Sequence, residues 1–494
     1  MARVLLLNPS RWGRGITPIW IASHTAVLKS AGHEVSLFDA TFYSDWAQNE
    51  NSFNTANLQY QPSAYESLIE FDDTPIKTAL QNKLDEFSPD VVFWAAISAH
   101  IHGEGEYAAI QFGHDLIAQT SCAAIKMCGG LQPTASAGET AARFSGIDYF
   151  IGGESEFVLR DVVDAWQSGE PLGGIPGLIC RKGGEIVEGP RQPIIADLDT
   201  IGPYDYGLFA DQIFLRPYCG EVTRAVDYEL SRGCPFTCSY CVETVIQRYY
   251  GFEEKTPRGA LRELNRYLRH KSAKRAYQEI SDLHSEYGIT LFRCQDTNFL
   301  TIERPTLLEL ADLFDANEMP IRLYIETRPE GINPSTIPLL KRLRVDGVGM
   351  GIELATQGFR EDVLNRFSDQ GAIVRAFALL RKAGIRRTAY NIIGIPDQTE
   401  ESILETIAFN QALDPDNVTV AFFSPYLGTE QQRQGAKKDY FLDYEYDLDS
   451  QLRTMTHHSV LSARVLAFYK QNFVRLVREG LDSLPALKRS ESLV

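Results

Sequence analysis

The sequence predicts two consecutive α/β domains, a doubly wound parallel sheet and then a partial (β/α)6 barrel, ending in a mainly helical tail. Short apolar runs alternate with helix-spaced segments over residues 1–169 and again over 226–427. Runs such as VVFWAAI at 91–97 are continuously apolar, as strands buried on both faces are. The length of 494 residues suits about three domains on a prior of roughly 150 residues each.

In the first domain, strand 4–7 meets Asn8-Pro9, and helix 18–31 is closed by Gly32. Strand 34–40, helix 77–87, strand 91–97 and helix 105–119 follow. Strand 123–127 runs into Cys128-Gly129-Gly130, and helix 133–144 has Pro133 in its first turn. Strand 148–151 ends at Gly152-Gly153, before helix 154–166. The segment 45–73, rich in Asn, Ser, Gln and Tyr, interrupts this rhythm as a long loop or insertion. Residues 170–225 read as a hairpin around Lys182-Gly183-Gly184 and then an extended linker. The second alternation has strands at 227–230, 290–294, 322–326, 347–352, 388–393 and 418–423, with helices such as 372–383 and 400–412 between them. Six such units suggest a barrel with its chemistry at the strands' carboxyl ends. From residue 428 an acidic aromatic run, 440–447, precedes a helical stretch, 452–477, whose polar part holds His457-His458.

A net charge of −17 argues against gripping nucleic acid or anionic membranes. No run approaches the ~18 apolar residues of a membrane span, and the apolar run before Asn8 is too short for a signal-peptide core, so a cytoplasmic location is expected. Eight cysteines are too sparse for a disulfide scaffold. Cys122, Cys180 and Cys219 read as small hydrophobes, and Cys294 as a candidate to line the site.

Three cysteines stand apart. Arg232-Gly-Cys234-Pro-Phe-Thr-Cys238-Ser-Tyr-Cys241 follows the first barrel strand directly. A structural zinc closes with four ligands, and no second Cys pair or nearby His supplies the fourth. Three thiolates on a four-iron cubane leave one iron open to bind a cofactor and pass it an electron. A zinc site or buried thiols are the plainer alternatives.

This spacing, Cys-x3-Cys-x2-Cys with an aromatic before the last Cys, resembles the radical SAM (S-adenosylmethionine) superfamily. The resemblance implies a [4Fe–4S] cluster on Cys234, Cys238 and Cys241. Its open iron would chelate SAM, and reduction would release a 5′-deoxyadenosyl radical. It also implies SAM contacts at successive strand ends: Tyr240, Asp296, Glu326, Arg328, Glu353, and Gly394 with Ile395 against adenine.

The first domain resembles the cobalamin-binding domain found in many radical SAM enzymes. The matching residues are Asn8, Ser98, Gly129, Gly130, Pro133, Thr134, Gly153 and Glu154, after successive strands. The Asp-x-His-x-x-Gly signature of an axial histidine is absent, and His24, His100 and His102 read as surface or edge residues. A Gly-x-Gly-x-x-Gly turn is missing after the first strand, which disfavours NAD.

The resemblance implies a cobalamin-dependent radical SAM methyltransferase acting on an unactivated carbon of a small-molecule metabolite. An external one-electron donor such as flavodoxin or ferredoxin would serve it. Radical cyclisation, C–C coupling, dehydration or oxidation remains open, as does a non-catalytic iron–sulfur or cobalamin regulator.

Overall fold

The computed structural model describes the chain except residues 49, 98–102, 183, 438–441, 448–453, 458–459 and 491–494. Ser98, His100, His102 and His458 lie outside the described residues.

The first sheet holds β1 (Arg3–Asn8), β2 (Glu34–Asp39), β3 (Val91–Trp94), β4 (Ile125–Cys128) and β5 (Tyr149–Ile151), all parallel, in the order β2-β1-β3-β4-β5. Strand order reverses between β1 and β3, and a crevice opens outside the carboxyl ends at such a point. Asn8-Pro9 leaves β1 there and Ala95-Ala96 leaves β3. Ala95 takes the left-handed conformation, φ 57°, and its carbonyl accepts Gly129 N–H at 2.8 Å.

The expected hairpin forms as β6 (Leu178–Lys182) and β7 (Glu185–Glu188), and it extends the first sheet antiparallel to β5. The stretch expected to be an extended linker is instead a buried strap. Ile195, Leu198, Ile201, Tyr206, Ile213 and Phe214 lie in the core. Their irregular spacing matches neither strand nor helix period, so the pattern concealed their burial. The expected helix 133–144 is broken into Leu131–Ala135 and Ala137–Arg143, because Ser136 between them is extended.

The second sheet runs β8 (Leu215–Tyr218), β9 (Glu221–Tyr228), β10 (Leu291–Cys294), β11 (Arg322–Thr327), β12 (Val345–Glu353), β13 (Arg386–Ile393) and β14 (Asn417–Phe422), in chain order across the sheet. β9 to β14 are parallel, and β8 adds an antiparallel edge that sequence reasoning missed. Among the described strands β14 does not pair with β8, so the sheet is an open half-barrel. The 45–73 insertion reaches that open edge: Gln59 Oε1 accepts Val420 N–H of β14 at 2.9 Å, and Tyr65 OH accepts Gly15 N–H at 2.7 Å.

The covering helices follow ordinary rules. In Gln370–Ala383, Asp369 accepts Ala372 N–H at 2.7 Å as N-cap, and Gly384 ends the helix at φ 73°. Ile373, Ala376, Phe377 and Leu380 form its buried face at i, i+3, i+4 and i+7. Each large apolar side chain buried this way contributes about 1.5–3 kcal/mol as an upper estimate. In the tail, Thr454–His457 pairs with Leu442–Asp447 as a hairpin, so the expected helix begins only at Ala463. Among the described residues no helix is long and apolar enough to cross a membrane.

One apolar cluster runs through both domains, from Val4 and Trp20 to Val226, Phe292 and Ile325. A buried polar joint lies beside it. Arg232 donates to Glu156 at 2.6 Å and to Glu229 at 2.7 Å. Arg269 donates to both oxygens of Glu154, at 2.8 and 2.9 Å. Burial opposes ionisation of Glu156, but Arg232 outweighs it and holds the carboxyl down to about 2. His24 also belongs here and is fully buried, not at the surface as expected. Its ring bonds Trp20 O and Ser155 Oγ and stacks on Phe93, and burial pushes its pKa down.

Removing Arg232 strands two buried carboxylates, which costs roughly 3–5 kcal/mol. Arg232→Met is expected to lower the urea unfolding midpoint accordingly; a shift worth less than about 1 kcal/mol would show that the joint is not needed.

Candidate active site

The loop 233–241 starts where Ser231 and Arg232 pair antiparallel with Arg269 and His270. Its backbone is held on both sides. Cys234 N–H donates to Glu243 at 2.8 Å, and Gln247 donates to Cys234 O and Phe236 O, each at 2.9 Å. Ser239 N–H donates to Leu364 O at 2.9 Å, and Asn365 donates to Thr237 O at 2.7 Å. Residues 354–368 therefore clasp the loop. Fully buried Arg360 stiffens that clasp by donating to the carbonyls of Leu354, Ala355 and Ser368.

Cys234 and Cys238 are buried, and Cys241 lines a cavity of about 890 Å³. Burial pushes the Cys234 and Cys241 thiols up, and the neighbouring acidic groups add to this. A coordinated metal reverses that preference, since it takes thiols as thiolates. Among the described residues no three His, Cys, Asp or Glu side chains converge on a single metal ion. Two guanidiniums face Cys238 Sγ: Arg328 Nη1 at 3.9 Å and Arg366 Nη1 at 4.0 Å. Cations donating to sulfur suit an anionic thiolate-bound cluster and raise its potential. The donor set therefore fits a [4Fe–4S] group on Cys234, Cys238 and Cys241.

The residues expected to hold SAM distribute unevenly. Tyr240, Glu326 and Glu353 line the large cavity. Tyr240 OH donates to Glu353 at 2.9 Å, and Glu353 itself is left-handed at φ 63°. Arg328 also donates to Phe367 O and Ser368 Oγ, and stacks 3.7 Å over Phe236. Gly394 and Ile395 N–H both point at Gln398 Oε1, and Ile395 packs in one cluster with Tyr240 and Phe423. Asp296 is fully buried. Its Oδ1 accepts Leu230 N–H, Ser231 N–H and Ser231 Oγ–H at 3.1, 2.5 and 2.5 Å, while Oδ2 has no partner. Burial raises it to about 7.

On the other side, Asn8, Pro9, Ala95 and Ala96 line the same large cavity. Asn8 Nδ2 donates to Asp39 at 2.9 Å, which orients the amide. Pro133 and Thr134 line a separate cavity of about 340 Å³ with Tyr249 and Arg248. Gly129 and Gly130 pack under Ala95. Gly153 N–H donates to Thr134 Oγ1 at 2.8 Å, and a Cβ there would lie 2.6 Å from both Tyr249 Cε1 and Tyr250 OH. Glu154 is engaged by Arg269 in the joint.

Sequence reasoning missed Arg366 and the glycine face of β12. Gly347 and Gly349 alternate along that strand. A Cβ on them would lie 2.8 Å from Tyr324 and 2.5 Å from Tyr390 OH respectively, so the missing side chains leave room for two cavity tyrosines. The i, i+2 glycine pattern was visible in the sequence; the arginine on a loop carried no periodic signal. Cys294 is buried, its Sγ against Phe292 O, and is not among the residues lining the cavity.

Two measurements test this site. A carboxyl raised to about 7 contributes stability at low pH that is lost as pH rises from about 4 through 7. Asp296→Asn keeps an acceptor for the three Oδ1 bonds, so its stability relative to the native chain should rise by roughly 1–3 kcal/mol between pH 5 and pH 8 melts. An unchanged difference would show Asp296 ionised throughout. Second, Arg328→Gln or Arg366→Gln should lower the cluster's reduction potential by on the order of tens of millivolts in a spectroscopic redox titration. An unchanged potential in both variants would remove their assigned effect.

Residues 228–409 match the Radical SAM superfamily. The chain is 27% identical over 438 residues to the anaerobic magnesium-protoporphyrin IX monomethyl ester cyclase of Cereibacter sphaeroides, covering 86% of this chain and 62% of that protein. It therefore spans only about three-fifths of that relative's length. Its fold is similar to that of the radical S-adenosylmethionine methyltransferase TsrM from Kitasatospora setae, with cobalamin and a [4Fe–4S] cluster bound: TM-score 0.65, 19% identity, covering 89% of this chain and 75% of TsrM. It is also similar to the cobalamin-dependent S-adenosylmethionine radical enzyme OxsB with aqua-cobalamin and S-adenosylmethionine: TM-score 0.63, 15% identity, covering 93% of this chain and 64% of OxsB. The half-barrel carries the match to the radical SAM superfamily, which implies a [4Fe–4S] cluster and SAM, and the two domains together share the fold of TsrM and OxsB.

Proposed function

We propose that this radical SAM protein is a cobalamin-dependent methyltransferase acting on an unactivated carbon of a small molecule. One observation carries the reading. A single cavity is walled by the first domain's crevice (Asn8, Pro9, Ala95, Ala96) and by the half-barrel interior with Cys241, Glu326 and Glu353. Two cofactors seated on those walls would face one substrate.

When bound, the cluster on Cys234, Cys238 and Cys241 supplies the electron that cleaves SAM reductively, and cobalamin against the Asn8–Ala96 wall supplies the methyl carrier. The remaining work falls to side chains. Tyr240 and Arg366 fix the Glu353 carboxylate, which would orient SAM's polar groups. The insertion at the open edge, through Gln59 and Tyr60, closes the cavity's flank and limits water. An external one-electron donor such as flavodoxin or ferredoxin completes the system.

A second reading, radical cyclisation without methyl transfer, is favoured by the 86% coverage of this chain by the cyclase relative. Product analysis separates the two. The methyltransferase reading expects 5′-deoxyadenosine and S-adenosylhomocysteine together when reconstituted enzyme, reductant, SAM and substrate are incubated anaerobically. Deoxyadenosine without S-adenosylhomocysteine supports cyclisation, and neither product overturns both.

A further inference from the structure

We propose that the substrate is an aromatic carboxylic acid whose carboxylate is held by Arg293 and Gln295 on the barrel side of the large cavity. The reaction assigned to it rests on the reading above; the binding site does not.

Arg293 lies on β10 and Gln295 follows directly at its end, two positions on. At a period of two, both fall on the barrel's inner face, while Phe292 and Cys294 go to the core. Both line the cavity. Arg293 pairs in register with Tyr324 of β11, and its guanidinium lies 5.5 Å from that ring's centre. Among the described residues no carboxylate or carbonyl hydrogen-bonds that guanidinium.

The nearest candidate acceptor is already used. Asp227 takes Arg216 through both oxygens, at 2.8 and 2.5 Å, and also accepts Thr17 N–H at 3.0 Å and Gln295 Nε2 at 2.6 Å. Arg14, Arg216 and Arg293 all act electrostatically on one another around this one acid. Arg293 is therefore drawn toward Asp227, but Arg216 already occupies both oxygens of that carboxylate. Half-buried in the cavity wall and hydrogen-bonded to no carboxylate among the described residues, the Arg293 guanidinium keeps its planar fork available, and that fork matches a carboxylate in two-point fashion.

Gln295 adds a complementary requirement. With Nε2 spent on Asp227, its Oε1 is buried and has no partner. It can accept an N–H or O–H next to the bound acid. Tyr324 lies beside Arg293, and Trp12, Trp20, Tyr60, Phe112 and Tyr390 line the same cavity, walls suited to a flat conjugated body. Tyr324 OH and Tyr390 OH lie 2.9 Å apart, and Tyr390 OH donates to Glu326 at 3.0 Å, so these groups are mutually satisfied and Arg293 and Gln295 are not.

The test uses full-length enzyme reconstituted with iron, sulfide and hydroxocobalamin, with SAM present. Equilibrium dialysis compares two acids with mates whose carboxyl group is blocked: L-tryptophan against L-tryptophanamide, and magnesium-protoporphyrin IX monomethyl ester against the dimethyl ester. At least one acid is expected to bind roughly tenfold or more tighter than its mate. Arg293→Gln should abolish that preference and Arg293→Lys restore part of it. Binding of neither acid, equal binding within both pairs, or an unchanged preference in Arg293→Gln overturns the proposal. So does an Arg293→Gln effect confined to SAM binding, because the carboxylate served would then be SAM's own. The cluster's electron spin resonance spectrum in the native enzyme, with and without SAM, reports separately on the radical SAM reading: no change on adding SAM would defeat that reading whatever the dialysis shows.

Discussion

Buried charge fixes how the two domains meet. Arg232, Arg269, Glu154, Glu156 and Glu229 are each at most 6% exposed, and a charge so deep needs its partner in place. Glu154 and Glu156 follow the last parallel strand of the first domain, while Arg232 and Arg269 flank the cysteine loop. Satisfying these pairs leaves little freedom for sliding one domain on the other. Arg232 lies two residues before Cys234, so the same contacts that join the domains also set the start of the cluster loop. The crevice between β1 and β3 and the mouth of the half-barrel then wall one cavity.

Keeping that cavity open is a packing problem. Interiors fill to crystal density unless the backbone denies them side chains. Gly347 and Gly349 on the inner face of β12 do so, and Tyr324 and Tyr390 lean into the vacated room with their hydroxyls paired. Asp227 organises the other end by gathering Arg216, Thr17 and Gln295. Thr17 and Gly15 belong to the loop after β1, and Arg216 also donates to Gly15 O at 2.7 Å. The first domain thus shapes the barrel's interior as well as its mouth.

The parallel strands of both domains were legible because their apolar periods are local properties of the chain. The cysteine loop was legible because three thiols in eight residues have few other uses. What escaped was set by long-range pairing. The edge strand β8, with Arg and Pro in LRPY, has no strand signature of its own and exists because β9 offers it an edge. His24 looked peripheral because nothing near it in sequence announces Ser155 or Phe93. Glu154 stands where a ligand residue was expected, yet its partner Arg269 lies 115 positions away. Asp296, expected to meet SAM, also clamps Leu230 and Ser231 through Oδ1, a role that no local pattern announces, while its Oδ2 has no partner.

Net charge shows the same limit from another side. A total of −17 describes a surface whose field fades within about 8 Å at physiological salt. Inside the cavity, local pairs decide. Arg328 and Arg366 converge on one sulfur, and Arg216 and Arg293 stand by one carboxylate, so the acidic chain gathers guanidiniums at two places in its interior. The first sits where an anionic cluster would be anchored, and the second lies in the cavity where the substrate would bind. Both groups would meet guanidiniums already in place: Arg328 and Arg366 are hydrogen-bonded to neighbouring carbonyls, and Arg293 is set on β10 beside Tyr324. That preorganisation spares the binding step the cost of gathering like charges. It also explains why the overall acidity, a sound argument against nucleic acid, says nothing about the charge of a small substrate.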